Sequence, residues 1–248
     1  MLKQSKNKNH KKHFDILDVA RGFSILLMFI YHFSYDLDYY GFINIDFAMD
    51  NFWLNFRTLI VTLFLTIMGI SLYLACYRGL KTRPFKKRLL LLIFYSAIVS
   101  ISSWMMFPAA MIFFGILHFI TIASVLGLLF VRLKIINLLL GITLILIGQF
   151  IEYPIFNQPY LQWFGLMTML PIAVDYVPLL PWFGVVLIGM YLGQLLAQQP
   201  TNSFLRSWQS DHPVSNILAL GGRHSLHIYM LHQPLFLGFL YIISLIVG

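Results

Sequence analysis

The sequence contains little charge for its length. Asp, Glu, Lys and Arg together make up 10% of the 248 residues, whereas a soluble domain carries about 25%. Hydrophobic residues make up 59%, and the mean hydropathy is +0.79. A soluble domain of this length could not bury so much apolar surface, and a disordered chain would not contain it. The composition therefore predicts an integral membrane protein.

Cysteine occurs once, as Cys76. A single thiol excludes a disulfide framework, a zinc site built from cysteines and a thiolate-bound iron–sulfur cluster. His224 and His227 have a spacing that two metal ligands can use, but the sequence has no carboxylate near them, so we expect no metal. The alternating pattern of a membrane β-barrel is also missing, so the spans should be helical.

Long apolar runs dominate the sequence, and each has about the length that crosses a bilayer. They predict an all-α bundle of about seven transmembrane helices. The first run follows a basic tail, as in a signal peptide, but no small-residue cleavage site follows it, so we interpret it as a retained helix. The runs are Ile16–Ser34, Thr58–Tyr77, Leu89–Phe107, Ala110–Val131, Ile135–Ile151, Leu179–Ala197 and Ser225–Val247.

Lys and Arg are distributed unevenly between the two sides of the predicted bundle. If the N-terminus is cytoplasmic, 16 of the 17 lie on the cytoplasmic side and only Arg57 lies outside. This is the positive-inside pattern of membrane proteins. The net charge of +8 then reflects topology and contact with the lipid bilayer, and no nucleic-acid partner is needed to explain it.

The sequence predicts a basic cytoplasmic tail, residues 1–13, followed by a single transmembrane domain, residues 14–248. The longest cytoplasmic connection, Gln198–His224, is polar. The external segment Glu152–Pro178 is apolar, contains four prolines and is too short to span the membrane. We expect it to be interfacial or re-entrant, because irregular backbone at membrane depth must line a cavity or be buried in protein.

Ionisable residues within the first run are candidates for function, because charge is costly in a bilayer. Arg21 and His32 are eleven residues apart, which puts them on one helix face about 16 Å apart along the axis. Asp36 follows His32 by four residues and could raise its basicity, as a general base requires. Alternatively, Arg21 snorkels to one interface, and His32 and Asp36 lie at the other.

Polar candidates also occur in later stretches. His118 lies inside the fourth run, where it either donates to a backbone carbonyl or acts together with His32. Arg223 and His224 precede the last run and suit an anion or lipid headgroups. The basic loop of residues 78–88 is ordinary positive-inside charge, or it holds the phosphates of a nucleotide-containing substrate.

Five stretches together resemble a known family. Arg21 and His32 have the spacing of the acyltransferase-3 signature, but the residues around them are closer to the heparan-alpha-glucosaminide N-acetyltransferase catalytic-domain family. The resemblance is to short bacterial members of that family and covers most of the chain. It rests on Asp18–Met28, Leu65–Leu72, Phe114–Ile120, Asp175–Gly184 and Gly222–Pro234.

The resemblance implies a membrane acyltransferase. Such a protein moves an acyl group, commonly acetyl, from cytoplasmic acyl-CoA to an external hydroxyl or amine, here expected on a glycan. His32 would be the general base oriented by Asp36, and His118 would stabilise the oxyanion or position the acceptor. The alternative is a covalent acyl-His32 intermediate. The pattern departs from that of the lysosomal enzyme, which has Asn at the position of His32 and its catalytic His at the position of Ile43.

The resemblance also implies a donor site and a location. Arg21, Arg223 and His224 would hold the acyl-CoA from the cytoplasmic side. The expected location is a bacterial plasma membrane. Because the chain is shorter than the larger members of these families, three alternatives are open: an incomplete substrate tunnel, a homodimer or a partner protein.

Two other classes of function fit the polar residues. A transporter or flippase would line its pathway with them and with the kinked helix that Pro234 predicts. A haem-binding membrane protein would use His32 and His118 as axial ligands. Covalent transfer of a labelled acyl group distinguishes an enzyme from a transporter, and the absorption spectrum of the purified protein tests for haem.

Overall fold

The computed structural model describes residues 14–171, 175–200, 203–208 and 212–247. Within these ranges the chain is helical and contains no strand, which confirms the predicted all-α class. The predicted basic tail, residues 1–13, lies outside the described residues. The helices are α1 (Asp15–Tyr39), α2 (Asn51–Cys76), α3 (Thr82–Met106), α4 (Ile116–Phe130), α5 (Ile135–Phe150), α6 (Leu179–Gln198), α7 (Phe204–Ser207), α8 (Pro213–Arg223) and α9 (Ser225–Val247).

Five of these helices, α1, α2, α3, α6 and α9, are long and apolar enough to cross a membrane. Their length and composition are consistent with an integral membrane protein. The apolar helices α4 and α5 have 15 and 16 residues. At 1.5 Å per residue they are about 22–24 Å long, shorter than a hydrocarbon core of about 30 Å. A total of seven spans therefore stays a prediction, as does the cytoplasmic N-terminus.

Each predicted apolar run corresponds to a helix, but three starts differ by six or seven residues. The helices α2 and α3 each begin seven residues before their runs, whereas α4 begins six residues after its predicted start. The sequence predicts a start at Ala110, but a 3-10 turn ends there and α4 begins only at Ile116. The backbone between Ala110 and Ile116 contacts the connection that precedes α6. There the Phe114 carbonyl accepts a hydrogen bond from the Val177 amide at 3.3 Å. A tertiary contact thus replaces the first turns of the expected helix.

The central helix of the bundle is α6, which packs against α2, α4 and α5. Its Val186, Leu187 and Met190 side chains are fully buried. A Cβ on Gly69 of α2 would overlap the Val186 carbonyl, and one on Gly189 would overlap the backbone of α2. Small residues at such crossings allow membrane helices to approach closely. By contrast, α3 and α9 leave many apolar side chains exposed, as helices that face lipid do.

The helix α8 lies inside the connection predicted to be simply polar, and it packs antiparallel to the first half of α1. Gly22 lies against the backbone of Leu218, and Gly222 lies against the backbone of Asp18. The helix begins at Pro213, whose restricted φ suits the first helical position. This packing brings the end of α8 beside Arg21.

Arg21 and Arg57 mark two levels along the bundle. Arg21 Nη2 donates to Ser71 Oγ at 2.8 Å, so Arg21 of α1 lies level with Ser71 near the end of α2. Arg57 precedes Ser71 by 14 residues in α2, which is about 21 Å along the helix axis. We call these levels the Arg21 end and the Arg57 end.

Candidate active site

A cavity of about 820 Å³ extends through the bundle from the Arg21 end to the Arg57 end. Arg21 and His32 both line it, together with side chains from α2 to α6, α8 and α9. The two residues that the sequence puts on one face of α1 therefore face one cavity. Asp36 and His118 are not among its lining residues.

Three hydrogen bonds hold the Arg21 guanidinium at its end of the cavity. Nη1 donates to Asp18 Oδ1 at 3.1 Å and to the Gly222 carbonyl at 3.3 Å, and Nη2 donates to Ser71. These bonds join α1 to α8 and α2. Because a guanidinium has five N–H donors, about two remain for a ligand in the cavity. Arg21 thus combines a packing role with a position in the cavity wall.

The carboxylate of Asp18 also binds Arg223. Arg223 Nε donates to Asp18 Oδ2 at 2.9 Å, and its Nη2 donates to Asp15 Oδ1 at 3.3 Å. Arg223 lines the large cavity beside Arg21. His224 is exposed, and its Nδ1 lies 3.2 Å from the Leu220 carbonyl. The two predicted donor-binding residues are therefore separated, and only Arg223 lines the cavity.

The side chain of Gln233, in α9, contacts the His32 ring. Gln233 Nε2 lies 3.3 Å from His32 Nδ1, and the same side chain interacts with the buried Asp36 carboxyl. Because an amide nitrogen only donates, His32 Nδ1 accepts, and neutral His32 carries its proton on Nε2. The direct Asp36–His32 contact that the i, i+4 spacing predicts is replaced by a bridge through Gln233.

A second imidazole, His232, lies beside His32, with 5.0 Å between the ring centroids. Its Nδ1 donates to the Tyr229 carbonyl, because a carbonyl oxygen can only accept. Its Nε2 is buried and has no hydrogen-bond partner among the described residues. Tyr229, His232 and Gln233 have the i, i+3, i+4 spacing of one helix face. That face of α9 is the main polar neighbour of His32.

Asp175 enters the site from the connection before α6. Its Oδ2 accepts hydrogen bonds from the Tyr229 hydroxyl at 2.6 Å and from the Ile116 amide at 3.3 Å. Burial raises the pKa of Asp175 to about 6, while the bond from Tyr229 acts in the opposite direction. Asp175 and the three residues after it line the large cavity. The segment predicted to be interfacial or re-entrant therefore returns into the bundle.

His118 faces α3 and not the cavity. Its Nδ1 accepts from the Gly115 amide at 3.3 Å, and its Nε2 lies 3.1 Å from Ser100 Oγ. Since the Ser100 hydroxyl donates to the Ile112 carbonyl at 2.7 Å, His118 Nε2 is the donor to Ser100. Both ring nitrogens are thus occupied at the start of α4. This geometry supports the packing interpretation of His118 and supports neither catalysis nor haem ligation.

A second cavity, of about 590 Å³, lies at the Arg21 end between α2 and α3. Arg78, Lys81 and Arg88 line it, and Arg88 also lines the large cavity. The Arg78 guanidinium lies over the Tyr77 ring, 5.1 Å from its centroid. The basic stretch 78–88 therefore supplies cationic groups to the second cavity, and Arg88, near the start of α3, is shared by the two cavities.

Family membership agrees with this arrangement. The sequence matches the family described as heparan-alpha-glucosaminide N-acetyltransferase, catalytic, over residues 13–234. The chain belongs to this family. The matched range contains every stretch on which the predicted resemblance rests, so that prediction is confirmed, whereas the acyltransferase-3 grouping stays a prediction. No curated protein and no solved structure matches the chain.

Membership in the heparan-alpha-glucosaminide N-acetyltransferase family implies a membrane acetyltransferase that acts on glycan-like acceptors. It also suggests an acyl-CoA co-substrate. In the described part of the chain, no three His, Cys, Asp or Glu side chains are grouped closely enough to hold a metal ion.

Sequence reasoning missed Gln233 and Asp175 as individual site residues, and it treated Arg88 only as part of a basic loop. Gln233 and Asp175 both lie in stretches that carry the family resemblance, which was a signal for them. Nothing in the sequence indicates that Gln233 contacts His32, because 201 residues separate the two. A glutamine next to a proline in a helix is also an ordinary feature, so it gave no sign of a functional site.

Proposed function

We propose that this protein transfers an acyl group, in the simplest case acetyl, from acyl-CoA to a hydroxyl or amine of a glycan acceptor on the other side of the membrane. The observation that carries the proposal is the single cavity that Arg21 and His32 share and that continues to Arg57. Two substrates can enter such a cavity from opposite ends and meet beside His32. With a cytoplasmic N-terminus, the Arg21 end is the cytoplasmic one.

The Arg21 end suits an acyl-CoA donor. The second cavity offers Arg78 and Lys81 to the phosphates of the nucleotide, and Arg88 leads from there into the large cavity. Guanidinium groups bind phosphate through charge-assisted hydrogen bonds. The separation of about 16 Å between Arg21 and His32 is of the same order as the length of a pantetheine arm. The thioester would then lie near His32.

The Arg57 end suits a polar acceptor. Arg57, Gln149 and Asp175 line this part of the cavity, and Trp182 adds an apolar surface. A few polar groups on a largely apolar wall are typical of a small-molecule site, where they orient the ligand. Hydroxyl and amine groups of a glycan can both donate and accept hydrogen bonds with such side chains.

The chemistry at His32 follows from its hydrogen bonds. The acceptor attacks the thioester carbonyl, a C–O or C–N bond forms, and the C–S bond breaks with its electron pair on sulfur. Because Gln233 occupies Nδ1, the Nε2–H of neutral His32 is available to the carbonyl oxygen, where negative charge develops. This role as a donor replaces the general base of the sequence-based hypothesis.

Transfer by the purified protein in sealed lipid vesicles tests this proposal. Acyl-CoA with a labelled acyl group is supplied on one side and amino sugars or simple glycans on the other. We expect the label on the acceptor, and we expect Arg88→Ala to raise the KM for acyl-CoA about 10-fold or more. The control Arg132→Ala removes an exposed cation that lines neither cavity and should leave the KM unchanged.

Two results would contradict the proposal. One is a protein that binds no acyl-CoA and labels no acceptor. The other is passage of an unmodified solute across the vesicles without any acylated product, which would favour the transporter alternative, because a cavity between two ends of a bundle also suits transport.

A further inference from the structure

If the proposed acyl transfer is correct, some group must remove the acceptor's proton. His32 is not arranged to do so. Its Nδ1 already accepts a hydrogen bond from Gln233, and its Nε2 carries the proton of the neutral ring. Neither nitrogen therefore offers a lone pair to the acceptor. The general base must therefore be another group on the cavity wall.

Asp175 has the geometry of such a base. It lines the cavity towards the Arg57 end, and its Oδ2 is held by the Tyr229 hydroxyl and the Ile116 amide. Its other oxygen, Oδ1, has no hydrogen-bond partner in the part of the chain that the structure describes. One oxygen is thus anchored while the other remains available to a substrate, as general-base catalysis requires.

We propose that Asp175 is the general base of acyl transfer, with Tyr229 as the residue that positions it. As the acceptor oxygen or nitrogen attacks the thioester carbon, its proton moves to Asp175 Oδ1. The C–S bond breaks and its electron pair leaves with the CoA thiolate. The proton on Asp175 then passes to that thiolate or to water, which regenerates the carboxylate and releases CoA as the thiol.

One face of α9 organises both halves of this site. The Tyr229 side chain holds Asp175, and Gln233, one turn further along, holds His32. The proton acceptor and the oxyanion donor are thereby fixed from a single helix. A shift of α9 would therefore change both positions together.

The proposal predicts a pH dependence. The active form of Asp175 is the carboxylate, and burial raises the pKa of this group to about 6, so kcat/KM should fall as the pH decreases through about 6. The charged and titratable groups that face Asp175 are Arg57 from α2, Tyr229 from α9 and Tyr31 from α1. Arg57 and the bond from Tyr229 favour the carboxylate.

The pH profile of three variants in the vesicle assay tests Asp175. Asp175→Asn should lower kcat about 100-fold or more, while acyl-CoA binding persists. It should also remove the fall in kcat/KM at low pH, which is the acidic limb of the pH profile. Asp175→Glu should restore part of the activity together with an acidic limb. Glu152→Gln, which removes an exposed carboxylate from a residue outside the cavity lining, should match the unmodified protein.

Tyr229→Phe provides a second test that does not depend on Asp175→Asn folding. Loss of the hydroxyl donor disfavours the carboxylate, so the acidic limb should move to higher pH by about one unit. If Asp175→Asn keeps its kcat, or if the limb of Tyr229→Phe stays at the pH of the unmodified protein, Asp175 is not the base. A protein that neither binds acyl-CoA nor acylates any acceptor would instead overturn the proposed function.

Discussion

Asp18 and Arg223 are 205 residues apart in the chain, yet Arg223 Nε donates to Asp18 Oδ2 at 2.9 Å. Asp18 is nearly fully buried and its other oxygen accepts from Arg21. One carboxylate therefore bridges two guanidinium groups at the Arg21 end of the cavity. Asp18 therefore affects both the stability of the α1–α8 contact and the positive charge available to bind an acyl-CoA donor.

Asp18→Asn should destabilise the protein substantially. The change leaves the Arg21 guanidinium without its counter-charge, and removing one partner of a buried ion pair costs about 3 kcal/mol or more. The apparent Tm in detergent should fall by several degrees. Asp15→Asn is the control, because Asp15 pairs with Arg223 where both side chains are more exposed, so its effect should stay below about 1 kcal/mol. Equal effects of the two changes would contradict this account.

Gly222→Ala should weaken the packing of α8 on α1. Its new Cβ would overlap the backbone carbonyl of Asp18, which cannot move without separating the helices. The expected cost is about 1–3 kcal/mol or more, measured as a lower Tm and as loss of the monodisperse peak in size-exclusion chromatography. Gly238→Ala in α9 is the matched control, because nothing lies within 4 Å of the added Cβ. A stable Gly222→Ala protein would show that α8 is not held as described.

Two substitutions of His32 test whether this residue acts as a hydrogen-bond donor or as a general base. His32→Ala should lower kcat for acyl transfer by about 100-fold or more, because the oxyanion loses its donor. His32→Gln keeps an N–H donor but cannot act as a base, so it should retain more of the activity. Acyl-CoA binding, measured by calorimetry, should persist in both variants. Equal inactivity of the two variants would favour the original hypothesis that His32 is the base.

His118→Leu should affect stability more than catalysis. The change removes the hydrogen bonds to Ser100 and to the Gly115 amide at the start of α4, at a cost of about 1–3 kcal/mol. The Tm should fall, while kcat/KM per folded protein stays within about threefold of the unmodified value. Loss of transfer in a folded His118→Leu protein would restore His118 as a candidate in the reaction.

Helix positions were largely predictable from the sequence, because transfer of apolar side chains into lipid depends mainly on local composition. The runs that became α5, α6 and α9 illustrate this, because their bounds agree with the helices to within one residue. The start of α4 was not predictable, since the Phe114 carbonyl binds Val177 of a distant segment. The helix α8 was also missed, because its amphipathic pattern is short and its buried residues, Ala219 and Gly222, are small.

The candidate site was only partly predictable. The separation of eleven positions between Arg21 and His32 puts both on one helix face by geometry alone, and both residues line the cavity. His118 has the same residue type as a catalytic His, but its ring is occupied by Ser100 and Gly115. Residue type and spacing thus identified polar groups in the bundle without showing which of them face the cavity.

The sequence by itself determined that this chain enters a membrane as helices and that an arginine and a histidine share one face of α1, because hydropathy and helical periodicity act over neighbouring residues. Only the tertiary structure decided the partners of these groups. Gln233 sets the proton position on His32, and Tyr229 anchors Asp175. Such hydrogen bonds depend on the rotation and depth at which distant helices pack, and no local pattern encodes those two quantities.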